Sequence, residues 1–286
     1  KVGKKSDLIY PSKYRNNKMD IYYPVGEQKA KGVLFWVHGG GFVAGDKGPV
    51  EEFATYVVAD TGIAVVAVNY ETAPDLEYPG QIFQLDEAVD FFRTSHSDLI
   101  SVDFSKIFFG GDSAGGQIAG QYTALLTNKD YAESFGFRPS VSSEALTGFI
   151  SYCAPVDIQQ LGTVSSHSRF ERFFANTVAR AFLGTRNWKN HPKLKEASVA
   201  EFITTDFTPT FITDGNSFSF QEQGLIFGKK LEALEVSVES LFFNDTDREI
   251  PHEYQFDYKR EEAKECLQKT IHFLDIQLEY QFYKEY

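Results

Sequence analysis

The stretch Lys106–Gly116, KIFFGGDSAGG, places Ser113 between glycines at the point where an apolar run meets a helix-like run. Ile107–Phe109 is a short run typical of a β-strand, and residues 117–126 are rich in Ala, Leu and Ile without Pro. A sharp turn from strand to helix projects a serine hydroxyl away from the sheet, and glycines two residues before and after the serine let the two elements approach closely. We therefore interpret Ser113 as a nucleophile at such a turn rather than as part of a plain glycine-rich turn.

Strand-like and helix-like patterns alternate along the rest of the chain. Strands are predicted at residues 32–37, 63–68, 146–152, 210–213 and 236–243, and the first of these is a continuous apolar run typical of a strand buried on both faces. Two shorter runs, at residues 8–10 and 19–23, predict an antiparallel edge, and helical patterns separate most of the other runs. The alternation predicts an α/β fold with a mainly parallel central sheet, helices on both faces and a site at the carboxyl ends of the strands.

One segment, residues 158–206, breaks this alternation. It has helical signal at residues 170–183 and again at 194–201, so we predict a small helical insertion that is a candidate cap over the site. Residues 129–145 are polar and are predicted to be turns.

A serine hydroxyl needs a base before it can attack a carbonyl carbon, and the base needs a carboxylate to orient it. Of the six histidines, His252 alone stands in a loop after the last predicted strand, at residues 236–243, with a helix following it. That position fits the chain order nucleophile, acid, histidine. The sequence therefore predicts His252 as the base.

The motif HGGGF at residues 38–42 follows the strand at residues 32–37. Glycines let backbone N–H groups approach a developing oxyanion, so we predict an oxyanion hole formed by Gly40, Gly41 and Ala114. A phosphate-binding turn is the weaker interpretation, because the chain has neither G-x-G-x-x-G nor a Walker lysine. We expect His38 to brace the loop.

The motifs HGGGF, AVNYETAPDLEYP, GGDSAGG and IPHEYQF together resemble the esterase/lipase family of the hormone-sensitive-lipase type in the α/β-hydrolase superfamily. The resemblance extends over residues 32–256. It implies an α/β-hydrolase fold in one domain over residues 1–286, with residues 158–206 as the main covering element. It also implies a carboxylesterase that hydrolyses short acyl esters through an acyl-enzyme, without a cofactor or a metal.

The carboxylate of the triad is the weak point of this resemblance. Members of the family carry it as Gly-x-x-Asp after the seventh strand, whereas residues 215–218 here are GNSF, and Phe218 cannot orient an imidazole. Asp214 at the same strand end is the first choice. The alternatives that remain open are Asp157, Asp245, Asp247 and Glu222.

Two alternative functions remain beside the esterase. A ligand-binding pseudo-hydrolase would explain the missing Gly-x-x-Asp, and an amidase or arylformamidase would use a similar nucleophile.

Composition excludes several other classes of protein. A formal charge of −12 argues against a nucleic-acid or anionic-membrane partner and favours a small-molecule ester. Cys153 and Cys266 lie far apart, so we predict buried free thiols rather than a zinc site or a disulfide. No apolar run approaches the length of a membrane span. We expect a cytoplasmic protein, with secretion left open because the chain starts at Lys1, and the sequence gives no oligomeric state.

Overall fold

The computed structural model describes residues 1–26, 29–162 and 169–284. The strands within these ranges are β1 (Val2–Ile9), β2 (Lys18–Pro24), β3 (Val33–Val37), β4 (Ala64–Val68), β5 (Ile107–Asp112), β6 (Leu146–Tyr152), β7 (Thr210–Thr213) and β8 (Val238–Leu241). They form one eight-stranded sheet in the order β1-β2-β4-β3-β5-β6-β7-β8. β1 and β2 are the antiparallel edge, and the strands from β4 to β8 are parallel to one another. The predicted mainly parallel sheet is confirmed.

The helices connect and cover these strands. They are α1 (Glu51–Thr61), α2 (Gly80–Leu99), α3 (Ala114–Thr127), α4 (Lys129–Phe135), α5 (Arg169–Leu183), α6 (Lys193–Glu196), α7 (Gln221–Ala233) and α8 (Glu261–Lys284). The helical signal at residues 194–201 divides into α6 and a 3₁₀ turn at Val199–Glu201. Among the described helices, none is both long enough and apolar enough to cross a membrane.

Helix α4 corrects the prediction of turns at residues 129–145. The side chain of Asn128 accepts a hydrogen bond from the Tyr131 N–H, and Gly136 ends the helix in the left-handed region with φ 69°. These two caps stabilise a helix of seven residues. Such a helix is too short for its hydrophobic periodicity to be visible in the sequence.

Both faces of the sheet are buried, as the alternation of side chains along β3 illustrates. Phe35 faces the layer of α2 and α3, whereas Leu34 and Trp36 face α1 and α8. Each such side chain contributes roughly 1.5–3 kcal/mol when it is fully buried. This two-sided burial explains why β3 and β4 are continuous apolar runs.

The parallel strands all end at the same edge of the sheet. Ser113, Cys153 and Asp214 directly follow β5, β6 and β7, and the HGGGF loop directly follows β3. The fold therefore brings residues that are distant in the sequence to one edge.

Candidate active site

Ser113 occupies a strained turn between β5 and α3. Its backbone has φ 49° and ψ −119°, a conformation that costs a residue with a side chain on the order of 1–3 kcal/mol. The turn is held by a hydrogen bond from the Ser113 N–H to Tyr152 O, 2.8 Å long. A Cβ atom at Gly115 would overlap the backbone oxygen of Val37, so only glycine allows α3 to start this close to β3.

The structure brings Ser113, His252 and Asp214 together. Ser113 Oγ lies 3.0 Å from His252 Nε2, within hydrogen-bond distance. On the opposite side of the ring, Nδ1 lies 3.4 Å from Asp214 Oδ1. Within the described part of the chain, Nδ1 has no aligned hydrogen-bond partner, so its contact with Asp214 is a charge contact at short distance. The order serine, imidazole, carboxylate is the one that activates a serine.

Backbone hydrogen bonds tie the loop of His252 to the loop after β7. The N–H groups of Asn216 and Ser217 donate to Ile250 O at 2.9 and 3.0 Å, and the His252 N–H donates to Ser217 O at 3.0 Å. The ring of Phe220 packs edge-on against the imidazole, with centroids 5.5 Å apart. The imidazole is thereby positioned by the same strand end that carries Asp214.

Asp214 is buried, and backbone amides compensate for its burial. Its Oδ1 accepts the Gly215 N–H and its Oδ2 accepts the Phe220 N–H, each at 2.7 Å. These two hydrogen bonds hold the carboxylate next to the loop that follows it, with Oδ1 facing His252.

The other candidate acids lie elsewhere. Asp157 accepts hydrogen bonds from the Gln159 N–H at 3.2 Å and from the Gln160 side chain at 2.9 Å. Asp245, Asp247 and Glu222 are exposed. Asp214 is therefore the candidate that the geometry favours, and its role as the triad acid stays a prediction.

The electrostatic surroundings of His252 favour its charged form. Burial alone would lower the pKa of His252, but the nearby carboxylates, that of Asp214 first among them, together raise that pKa above its ordinary value. Glu253 and Asp112 add to the increase. An imidazole in this environment is a stronger base than one in water.

The glycine loop offers free backbone donors beside Ser113. Gly40 and Gly41 have φ values of 116° and 61°, which glycine alone adopts readily. Among the described residues, the N–H groups of Gly40, Gly41 and Ala114 have no backbone acceptor. Ala114 also begins α3, whose N-terminus favours negative charge.

His38 holds this loop in place through its ring. Its Nδ1 donates to Gly39 O at 2.7 Å, and its ring stacks on Tyr70 with centroids 4.4 Å apart. Burial lowers the pKa of His38, which keeps the ring neutral.

Asp112 is a bracing residue to which the sequence analysis gave no role. Its buried carboxylate accepts the Gly39 N–H at 2.7 Å and the Trp36 Nε1–H at 2.8 Å, so it ties the glycine loop to the end of β5. Burial and the nearby Glu253 raise the pKa of Asp112 to about 7. A carboxylate at the end of an apolar strand is the signal that could have indicated this role.

An apolar wall from α5 lies over the glycine loop. A Cβ atom at Gly41 would lie 3.4 Å from Phe174 Cζ, and the rings of Phe174 and Phe218 are 6.4 Å apart. The end of α5 is attached to the loop by Phe182, which stacks on Phe42 with centroids 4.0 Å apart.

Comparison with known proteins identifies the family. The BD-FAE family model matches residues 19–220, which is more than two thirds of the chain. The chain belongs to the BD-FAE family. Among curated relatives of this BD-FAE chain, a putative alpha/beta hydrolase of Acanthamoeba polyphaga mimivirus is 32% identical over 124 residues, covering 43% of the chain and 35% of the relative. An acetyl esterase of Salmonella paratyphi B is 30% identical over 111 residues, covering 39% of the chain and 33% of the relative. The match thus spans about a third of these relatives.

Solved structures confirm the α/β-hydrolase fold of this BD-FAE chain over nearly its whole length. An inhibited esterase B from Lactobacillus rhamnosis superposes with a TM-score of 0.81 at 20% identity, covering 99% of this chain and 90% of the other. A bacterial heroin esterase has a TM-score of 0.76 at 20% identity, covering 97% and 84%. The resemblance to esterases and lipases of the hormone-sensitive-lipase type is therefore confirmed at the level of family and fold.

Proposed function

We propose that the chain is a serine carboxylesterase that hydrolyses short acyl esters through a covalent acyl-enzyme. The observation that carries the proposal is the 3.0 Å contact between Ser113 Oγ and His252 Nε2 at a strained turn. The similarity to the Salmonella acetyl esterase supports the same class of reaction.

In the acylation step, Ser113 Oγ attacks the carbonyl carbon of the ester while its proton passes to His252 Nε2. The carbonyl oxygen becomes an oxyanion, which accepts hydrogen bonds from the N–H groups of Gly40, Gly41 and Ala114. The carboxylate of Asp214 stabilises the imidazolium. His252 then gives its proton to the departing alcohol, and the acyl group stays on Ser113.

Deacylation repeats these steps with water as the nucleophile. His252 accepts a proton from water while the hydroxide attacks the acyl carbon. The bond between that carbon and Ser113 Oγ then breaks, Oγ takes the proton back from the imidazolium, and the carboxylic acid leaves. Besides the ester and water, the proposed half-reactions use only groups of the chain.

We also propose that the segment at residues 158–206, of which residues 163–168 lie outside the described part of the chain, caps the site and limits the acyl chain. Phe174 and Val178 of α5 would lie 3.4 and 3.5 Å from a Cβ atom at Gly41. Such close packing beside the oxyanion donors would restrict the length of the acyl group, so we propose a small-molecule ester with a short acyl chain as substrate.

The alternative of a binding-only pseudo-hydrolase depended on a missing acid. The 3.4 Å contact between Asp214 and His252 favours catalysis instead. An amidase or arylformamidase would use the same nucleophile on a different substrate. Comparing an ester with the anilide of the same acyl group therefore distinguishes an amidase from an esterase.

The experiment measures hydrolysis of p-nitrophenyl acetate, butyrate and octanoate by wild type, Ser113→Ala and the exposed control Ser105→Ala. We expect Ser113→Ala to lose at least about 10⁴-fold in kcat, because the nucleophile is gone, while the control keeps its activity. We expect acetate and butyrate to react faster than octanoate. If Ser113→Ala hydrolyses the esters at the wild-type rate, the proposal is wrong. If the wild-type protein cleaves p-nitroacetanilide faster than the esters, it is an amidase.

A further inference from the structure

A thiol lies beside the imidazole and carboxylate of the proposed triad. Cys153, Asp214 and His252 each offer one ligand atom, and these atoms lie within 4.8 Å of one another. The residues come from the ends of β6 and β7 and from the loop after β8, so their spacing along the chain did not reveal the cluster. Both cysteines are buried and free, as predicted.

We propose that Cys153, Asp214 and His252 bind a thiophilic divalent cation, Zn²⁺ first of all, and that its binding stops proton transfer between Ser113 and His252. The inhibitory part of this proposal rests on the proposed esterase function, whereas the binding part does not.

The donor set fits zinc better than a hard cation. Zinc binds thiolate sulfur at about 2.3 Å and imidazole nitrogen or carboxylate oxygen at about 2.0–2.2 Å, which in a tetrahedron separates the ligand atoms by about 3.5 Å. His252 Nδ1 and Asp214 Oδ1 are already 3.4 Å apart. The Cys153 sulfur lies within 4.8 Å of the other two ligand atoms, so it has roughly 1.3 Å to move, by rotation of its side chain. Mg²⁺ and Ca²⁺ prefer sites made of oxygen ligands.

His252 Nδ1 can take the role of ligand. Its other ring nitrogen, Nε2, faces Ser113 Oγ at 3.0 Å, so Nδ1 is the nitrogen on the side of Asp214. Within the described residues, Nδ1 is buried and has no aligned hydrogen-bond partner. Binding to a cation would therefore replace no hydrogen bond of the ring.

The local charge also favours a cation. The carboxylate of Asp214 is itself one of the three ligands, and Asp112 and Glu253 add negative charge near Cys153. Zinc binds the thiolate, so the thiol releases its proton to solvent as the Zn–S bond forms. The two positive charges of zinc offset the thiolate and the carboxylate that burial disfavours.

Zinc on Nδ1 would block catalysis through the tautomer of the ring. A neutral imidazole that uses the Nδ1 lone pair for a metal carries its proton on Nε2. Nε2 then donates toward Ser113 and cannot accept the proton of its hydroxyl. Inhibition is expected to be reversible, because a chelator restores the Nδ1–H tautomer.

The first measurement is binding of Co²⁺, a spectroscopic substitute for zinc, to wild type, Cys153→Ser and the matched control Cys266→Ser. Cys266 is also a buried free thiol but lies in α8. We expect a thiolate-to-cobalt charge-transfer band in wild type and in Cys266→Ser and none in Cys153→Ser. Absence of the band in wild type, or an equal band in Cys153→Ser, overturns the proposal whether or not the variants fold well.

The second measurement is inhibition of ester hydrolysis by Zn²⁺, with each variant compared with its own metal-free rate. We expect the half-inhibitory zinc concentration to rise at least tenfold in Cys153→Ser and to stay within twofold in Cys266→Ser. EDTA should restore the wild-type rate, and Mg²⁺ should not inhibit. Equal zinc sensitivity of all three proteins would overturn the inhibitory mechanism. Because the cobalt spectrum needs no turnover, it tests binding even if the chain proves not to be an esterase.

Discussion

Replacing Asp214 by Asn removes the negative charge beside His252 while keeping the size of the side chain. In the proposed mechanism this charge stabilises the imidazolium that forms when Ser113 attacks. Asp157→Asn is the matched control, because Asp157 also follows a strand of the sheet but bonds to Gln159 and Gln160 instead of His252.

The size of the effect follows from the distance. Asp214 Oδ1 lies 3.4 Å from His252 Nδ1. At an effective dielectric constant of about 20, two unit charges at this separation attract by about 5 kcal/mol. That energy corresponds to roughly 4,000-fold in rate. Asp112 and Glu253 keep part of the negative potential at the ring in the variant. We therefore expect a loss of roughly 10³-fold in kcat with little change in KM.

The assay is steady-state hydrolysis of p-nitrophenyl acetate at pH 8, with circular dichroism to verify that both variants are folded. The control should lose less than threefold in kcat. A loss below tenfold in a folded Asp214→Asn protein would refute the reasoning, and a large loss in Asp157→Asn would move the acid to the end of β6.

Three further predictions follow from the described contacts. First, kcat/KM should rise with pH to a plateau, because His252 acts as a base only when neutral, and its raised pKa places the midpoint above about 6.5. In Asp214→Asn the midpoint should fall, and an unchanged midpoint would contradict the effect of the Asp214 charge on the pKa of His252. Second, Gly115→Ala should lower the free energy of unfolding by about 3 kcal/mol or prevent folding, because the new Cβ overlaps backbone. By contrast, a Cβ atom at Gly228 in α7 would make only ordinary van der Waals contacts. Gly228→Ala should therefore raise the free energy of unfolding by about 0.5–1 kcal/mol, and urea titration measures both variants. Third, folding raises the pKa of Asp112 to about 7, so the folded state binds more protons and the free energy of unfolding falls as pH rises from about 4 through 7. Asp112→Asn should lack this decrease in urea titrations at pH 5 and 7.5, and equal slopes in both proteins would contradict it.

The sheet and the glycine motifs could be predicted because local rules determine them. β3 and β4 are buried on both faces, which favours continuous apolar runs. The turn at Ser113 needs glycines on both sides, and these are visible in eleven residues of sequence. Helix α4 was missed because its stability depends on two caps and not on periodicity.

The carboxylate partner of His252 could not be fixed from the sequence, because a loop decides which side chain reaches the ring. Hydrogen bonds from the N–H groups of Asn216 and Ser217 to Ile250 O hold the histidine loop at the end of β7, where Asp214 lies. No rule based on spacing along the sequence predicts the contact between Asp214 and His252. The position of Cys153 beside His252 was hidden for the same reason, since it depends on the ends of different strands meeting at one edge.

The most direct measurement of the central claim is intact-mass analysis and peptide mapping after treatment with a fluorophosphonate. The reagent labels a serine only where a base activates its hydroxyl and an oxyanion hole stabilises the adduct. We predict one adduct per chain, located on Ser113, with none in Ser113→Ala and labelling at least 10³-fold slower in His252→Ala. A wild-type protein that stays unlabelled, or that carries the adduct on a different serine, would contradict the assignment of Ser113 as the nucleophile.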